Sequence, residues 1–149
     1  MYLIDTNVIS EHRKGMRANP GVVQFFKATP NHALYLPAQA IGEIQAGIAK
    51  LRRQNDTNSA ERAEIYQLWL GCLLARFSNH VLRFDHEAAT LWGVMLTSER
   101  KDPHTIDKQI AAMAIVNNLV LVTRDKQIAL AADPAVEVFN PFDATGFVP

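Results

Sequence analysis

Short apolar blocks switch between two periods along this chain. Tyr2, Leu3 and Ile4 form a brief apolar run, which predicts a buried strand ending at Asp5. "DTN" then supplies turn and cap chemistry, and Val8 and Ile9 resume an apolar pattern suited to a helix. "NPGVVQFFKATP" has helical spacing and stops at Thr29-Pro30. "HALYLPA" predicts a second strand, with Pro37 in the first turn of a helix that carries Ile41, Ile44, Ile48 and Leu51. After the loop-like "QNDTNS", Asn58 or Ser59 is the expected cap of the helix "AERAEIYQLWLGCLLARF". "HVLRF" predicts a third strand, and Asp85 caps "HEAATLWGVMLTSER". "KDPHT" is a polar break before the helix "IDKQIAAMAIVNN". "LVLVT" is the clearest strand of all, and "VEVFNP" predicts one more.

Strands alternating with helices predict an α/β sandwich with a mostly parallel sheet. In that class ligands bind beyond the carboxyl ends of the strands. Asp5 ends the first strand and Asp125, in "LVLVTRD", ends a later one, so two carboxylates fall on one edge of the sheet. Asp5 is equally suited to capping the helix that follows. Asp107 opens "IDKQIAAMA", with Ala111 and Ala114 on the same helical face, where small side chains let a helix approach a sheet. The helix dipole favours an ionised acid there by under about 1 kcal/mol. Glu43 lies about a third of a turn from the Ile41–Ile44–Ile48 stripe, which periodicity assigns to a solvated flank. Gly47, one turn on, costs a helix interior about 1 kcal/mol relative to alanine, and this implies close packing beside Glu43.

Composition narrows the chemistry. A chain of 149 residues is most simply one domain with a proper core. Zero formal net charge argues against binding nucleic acid by bulk charge, though not against a local basic rim. The single Cys72 excludes an intramolecular disulfide and a cysteine zinc cluster. The five histidines, at positions 12, 32, 80, 86 and 104, show no paired spacing such as HExxH, so zinc is not expected. Carboxylates that converge on one pocket repel unless a cation sits between them, and Mg²⁺ or Mn²⁺ is the natural guess. No signal-peptide pattern precedes Asp5, and "IAAMAIVNNLVLV" is too short and too interrupted by Asn117 and Asn118 to span a membrane. A cytoplasmic protein is expected.

"LIDTNVIS", "IGEIQAG", "IDKQIAAMA", "LVLVTRD" and the closing "VFNPF" resemble, in their order and spacing, the PIN domain. More narrowly they resemble the VapC/FitB-type toxins of prokaryotic toxin–antitoxin pairs. The resemblance covers essentially the whole chain. It implies a PIN-like three-layer sandwich and a metal-dependent endoribonuclease. Its acids would be Asp5, Glu43, Asp107 and Asp125, with Asn7 and Thr123 supporting them. Asp5 and Asp107 would be direct ligands of Mg²⁺ or Mn²⁺, with Asp125 and Glu43 acting through waters or on the nucleophile. The resemblance also implies a homodimer and a small VapB/FitA-type antitoxin, through which alone the toxin reaches operator DNA. Pro37 stands where the family commonly has Ser, and Ile128 where it usually has an aromatic.

Basic residues flank the acids in sequence: Arg13, Lys14 and Arg17, then Arg100 and Lys101, then Arg124 and Lys126. As a set they are a candidate rim for an RNA backbone. No stacking platform like that of an RNA-recognition module is visible, so a structured or unpaired RNA is the expected target. The helix with Tyr66, Trp69, Leu70, Leu73 and Phe77 carries more large apolar residues than one stripe needs. With the helix from Pro37 to Arg53 it is a candidate antitoxin surface. A different class of function is a PIN-like partner of a DNA-binding antitoxin, acting in autoregulation with little nuclease activity. Receiver and haloacid-dehalogenase-like folds are disfavoured, because position 7 is Asn and no adjacent acids occur near the N-terminus.

Overall fold

Four of the five strands are only two or three residues long, yet all five form one continuous sheet in the computed structural model, which describes residues 1–96, 105–125, 127–128 and 136–143. In chain order the elements are β1 (Tyr2–Ile4), α1 (Thr6–His12), α2 (Pro20–Ala28), β2 (Leu34–Pro37), α3 (Ala38–Arg52), α4 (Thr57–Arg76), β3 (Val81–Leu82), α5 (His86–Met95), α6 (Thr105–Val116), β4 (Val120–Val122) and β5 (Val138–Phe139). Single 3₁₀ turns at Gly15–Arg17 and Asn31–Ala33 flank α2. The sheet order is β3-β2-β1-β4-β5 and every pairing is parallel. The expected α/β sandwich with a parallel sheet is therefore the observed fold.

Alternation along the strands builds a core on each face. Leu3 and Leu121 point into one, with Ile110, Ala111, Met113 and Ala114 of α6. Ile4 and Val122 point into the other, with Val8, Val22, Phe25 and Leu36. Ala111 and Ala114 are fully buried, as small residues beneath Asp107 should be. A third, smaller cluster joins α3 to α4 through Ile48, Ala63 and Leu70.

Local chemistry sets the boundaries, in places differently from the sequence expectation. Pro37 closes β2 and occupies the cap position of α3 with φ −73° and ψ 142°, rather than the first turn. Residues before a helix take extended backbone, and proline suits that without losing a needed N–H. The cap of α4 is Asp56, not Asn58 or Ser59; its Oδ1 accepts from the Ser59 N–H at 2.8 Å. Asp85 caps α5 as expected, accepting from the Ala88 N–H at 2.9 Å. Asn118 takes φ +53°, and the Leu119 N–H donates to the Ala114 carbonyl at 2.8 Å, which ends α6 and turns the chain into β4. Gly47 corrects another expectation: it is exposed, and a Cβ there would meet nothing within 4 Å. No close packing beside Glu43 demands it.

Among the described residues no helix is long and apolar enough to cross a membrane. The "TSER" and "KDPH" stretches lie outside the described residues, as do Arg100, Lys101 and Lys126.

Candidate active site

At β1 the connections diverge, since its neighbours β2 and β4 lie on opposite sides. Asp5 stands at the carboxyl end of this strand, the place where such sheets bind ligands. Its backbone N–H donates to the Val122 carbonyl at 3.0 Å, extending the ladder by one residue. Its side chain turns back to cap α1, with Oδ1 accepting from the Thr6 N–H at 2.6 Å. The capping role and the site role therefore belong to the same carboxylate.

The other oxygen, Asp5 Oδ2, accepts from Asn7 Nδ2 at 2.5 Å and from Thr123 Oγ1 at 2.7 Å. The Thr123 hydroxyl itself accepts from Asn7 Nδ2 at 2.9 Å and from the Asp125 N–H at 3.0 Å. Both of its lone pairs are then engaged, so its single proton is committed to Asp5. Asn7 completes the knot by accepting from the Arg124 N–H at 3.3 Å. Residues 118 positions apart in the chain are thus tied together at two adjacent strand ends.

Burial pushes the Asp5 carboxyl up to about 6, with 6% of the residue exposed. The bonds from Thr123 and Thr6 pull it back down, and repulsion from Glu43 and Asp107 raises it again. Asp5, Glu43, Asp107 and Asp125 all line one cleft of about 480 Å³. Glu43 reaches it from α3, exposed to solvent, and accepts from the Thr6 hydroxyl. The solvated flank that periodicity assigns to Glu43 is the flank facing the cleft. Asp107 lies half-buried in the first turn of α6. Asp125 is half-buried too, its Oδ1 accepting from the Gln127 N–H at 2.8 Å.

Three of the expected basic residues, Arg13, Lys14 and Arg124, also line the cleft. Lys14 is held by an ion pair at 2.6 Å to Glu11, whose other oxygen accepts from the Asn19 N–H at 2.9 Å. Arg124 lies 5.4 Å from the centre of the Phe142 ring. Arg17 stands off the cleft, in an adjoining hollow that it shares with Arg13 and Lys14. Arg100 lies outside the described residues. Thr6 and Glu11 line the cleft unforeseen; the only signal for Thr6 was its place in the first turn after Asp5.

The donor set suits a hard divalent cation. Among the described residues the cleft offers oxygen donors and no His or Cys, and its most buried acid is destabilised by burial and then by like charge. Among the described residues no three acidic, His or Cys side chains stand close enough to hold one ion as placed. The four acids share one cleft but are not closed into a cage.

Residues 2–134 match the PIN domain family. The chain is 33% identical over 150 residues to the plasmid stability protein StbB of Pseudomonas syringae pv. tomato, covering 97% of this chain and 100% of that protein. It is 30% identical over 145 residues to the toxin FitB of Neisseria gonorrhoeae, covering 95% and 99% of the two. Its fold matches the structure of FitAcB from Neisseria gonorrhoeae with a TM-score of 0.79 and 30% identity, over 97% of this chain and 100% of the other. VapBC2 of Rickettsia felis, solved on a promoter DNA fragment, shares the fold with a TM-score of 0.66 at 17% identity, over 93% and 97%. Fold, cleft and sequence agree on a class: this chain is a member of the PIN domain family. Within that family its similarity runs to StbB and FitB, and its fold is that found in toxin–antitoxin complexes.

Proposed function

We propose that this chain is a Mg²⁺-dependent endoribonuclease, with Mn²⁺ as the substitute ion, and the toxin of a type II toxin–antitoxin pair. One observation carries the reading: four acids from four separate elements line a single cleft, and the most buried of them is raised to about 6 among its neighbours. Asp5 and Asp107 would hold the ion directly, and Asp125 and Glu43 through waters. Bound there, the ion lowers the pKa of a water and stabilises charge on the phosphate.

The chain's own residues supply the rest. Thr123 and Asn7 fix the Asp5 carboxylate, and the Thr6 hydroxyl holds Glu43 toward the cleft. Arg13, Lys14 and Arg124 draw the RNA backbone to a mouth that four carboxylates would otherwise make repulsive. In-line attack by water on the phosphodiester would leave a 5′-phosphate, by analogy with the family.

A VapB/FitA-type antitoxin is the partner we assign, with operator DNA reached only through it, in a cytoplasmic homodimer. FitB is named a toxin, and FitAB has been solved bound to a DNA fragment. The apolar surplus expected on α4 is real but shifted: Leu70 and Phe77 are core, while Ile65 and Leu68 are 61% and 73% exposed.

The test is cleavage of unpaired and structured RNA by the purified chain in Mg²⁺, in Mn²⁺ and in chelator. Cleavage in both metals, with none in chelator or in Asp107→Asn, is the expected result. Equal cleavage with chelator overturns the metal assignment. Silence in Mg²⁺, from a chain whose antitoxin complex still binds operator DNA, would favour the regulatory role instead.

A further inference from the structure

A second hollow, of about 390 Å³, opens beside the acid cleft between α1, α3 and α4. Thr6, Ser10, Arg13 and Glu43 line both, so the two are continuous. The chemistry changes on crossing from one to the other. Ile44 and Leu51 of α3 and the aromatic rings of Tyr66 and Trp69 of α4 replace the carboxylates, and Lys50 and Arg62 add positive charge.

Arg13 stands at the junction. Its guanidinium lies 3.8 Å from the centre of the Tyr66 ring and 5.5 Å from that of Trp69. Arg62 approaches the same tyrosine at 5.9 Å, and the two guanidiniums hold its phenol below the ordinary range. A charged plane packed on aromatic rings, beside a phosphate site, is the surface on which unpaired bases stack. Helices α1 and α4 assemble it from residues far apart in sequence, which is why no stacking platform is visible in the sequence.

Gly47 gives an independent sign. It forms part of the groove wall, yet neither packing nor a positive φ calls for glycine there. Alanine would favour the helix. What the glycine leaves is room in the groove.

We propose that this groove is the nucleotide subsite of the ribonuclease: an unpaired base next to the scissile phosphate stacks against Arg13 and Trp69, and Lys50 and Arg62 pair the phosphate beyond it. The inference rests on the ribonuclease reading above and adds the course of the substrate. The charges favour RNA over a protein segment, since three cations face one carboxylate, Glu43, which sits at the mouth shared with the cleft.

Tryptophan emission tests it without any cleavage. The chain has two tryptophans, and Trp92 packs edge-on against Phe84 in a different core cluster. In a Trp92→Phe background, Trp69 alone reports on the groove. A short end-labelled, mixed-sequence, single-stranded oligoribonucleotide is titrated in chelator, with anisotropy read in parallel. The expected result is saturable quenching of Trp69 at the same midpoint as the anisotropy change. Arg13→Gln and Gly47→Met should each weaken binding about tenfold, with the circular dichroism of the folded chain retained. RNA binding that leaves Trp69 unquenched, or wild-type affinity in Gly47→Met, overturns the subsite and leaves the ribonuclease reading standing. Quenching by an antitoxin peptide but not by RNA overturns it in favour of a protein occupant. An oligonucleotide that neither binds in chelator nor is cut in Mg²⁺ removes the ribonuclease reading, and this proposal with it.

Discussion

The two sides of the acid cleft are held in different ways. On the sheet side, Asp5 and Asp125 sit at the ends of β1 and β4, locked by hydrogen bonds through Thr123 and Asn7. On the helix side, Glu43 arrives on α3 from solvent and is steadied by the Thr6 hydroxyl. Burial gives the first side precision, and it also raises the Asp5 carboxyl to about 6. Glu43, exposed on α3, has the Thr6 hydroxyl to hold its carboxylate toward the cleft. Changes on the sheet side should therefore alter both fold stability and activity, and changes on the helix side mainly activity.

The largest contrast is in catalysis. Asp5→Asn should lower RNA cleavage at saturating Mg²⁺ by at least about a hundredfold, several kcal/mol of lost charge stabilisation. Glu43→Gln should cost about ten- to a hundredfold in single-turnover rate, as residues that position ligands do. Equal losses would erase the distinction between the two sides.

Next comes stability against pH. The Asp5 carboxyl rises from 3.8 unfolded to about 6 folded, so the folded chain binds the proton more tightly between those values. Its contribution is complete below about pH 4 and is lost as pH climbs through 6, at most about 3 kcal/mol. In metal-free urea unfolding, Asp5→Asn should therefore gain on the wild type from about pH 4 to pH 7, less the loss of an accepted hydrogen bond. Saturating Mg²⁺ should reverse the ranking, because it stabilises the chain that binds it. A difference that is flat with pH would mean that Asp5 is not held up by its surroundings.

Thr123→Val sharpens the sheet side further. It strands the Asp125 N–H and removes a bond from Asp5, and should lower unfolding stability by about 1–3 kcal/mol. Losing that bond also leaves Asp5 higher still, so the acidic limb of the cleavage profile should move to higher pH. A stability loss with no shift of that limb would make Thr123 a packing residue only. The smallest effect belongs to the rim. Lys14→Ala breaks an exposed ion pair with Glu11, and should change stability by under about 1 kcal/mol. It should also reduce the salt slope of single-stranded RNA binding by about 0.7.

Much of this architecture could be read from strand-to-acid spacing alone. Leu3 and Ile4 with Asp5, and Leu121 and Val122 with Asp125, announce buried strands that end in carboxylates, because alternate side chains fill the two faces. Caps were harder. Asp56 and Ser59 are both good capping residues, and only the folded backbone shows that Asp56 takes the role while Ser59 donates its N–H. "HVLRF" and "VEVFNP" each shrink to two paired residues, since pairing at a sheet edge depends on the neighbour and not on composition. Gly47 misled, because a rare residue in a helix marks either close packing or open space, and local sequence does not distinguish them. The contact of Arg13 with Tyr66 was invisible for a plainer reason: it depends on how α1 meets α4.

The strand order also has a consequence in time. A ribosome releases β1 first, yet half of its pairing belongs to β4, and Asn7 must wait for a hydroxyl 116 residues further on. Long loops must close before such non-local pairs contribute to stability, so the centre of the sheet is among the last parts of the chain to settle. Asp5 has Thr6 and Asn7 beside it from the start but lacks Thr123 until the segment after β4 has emerged. A nascent chain that stops short of β4 therefore carries no assembled cleft, because Thr123 and Asp125 are not yet part of it.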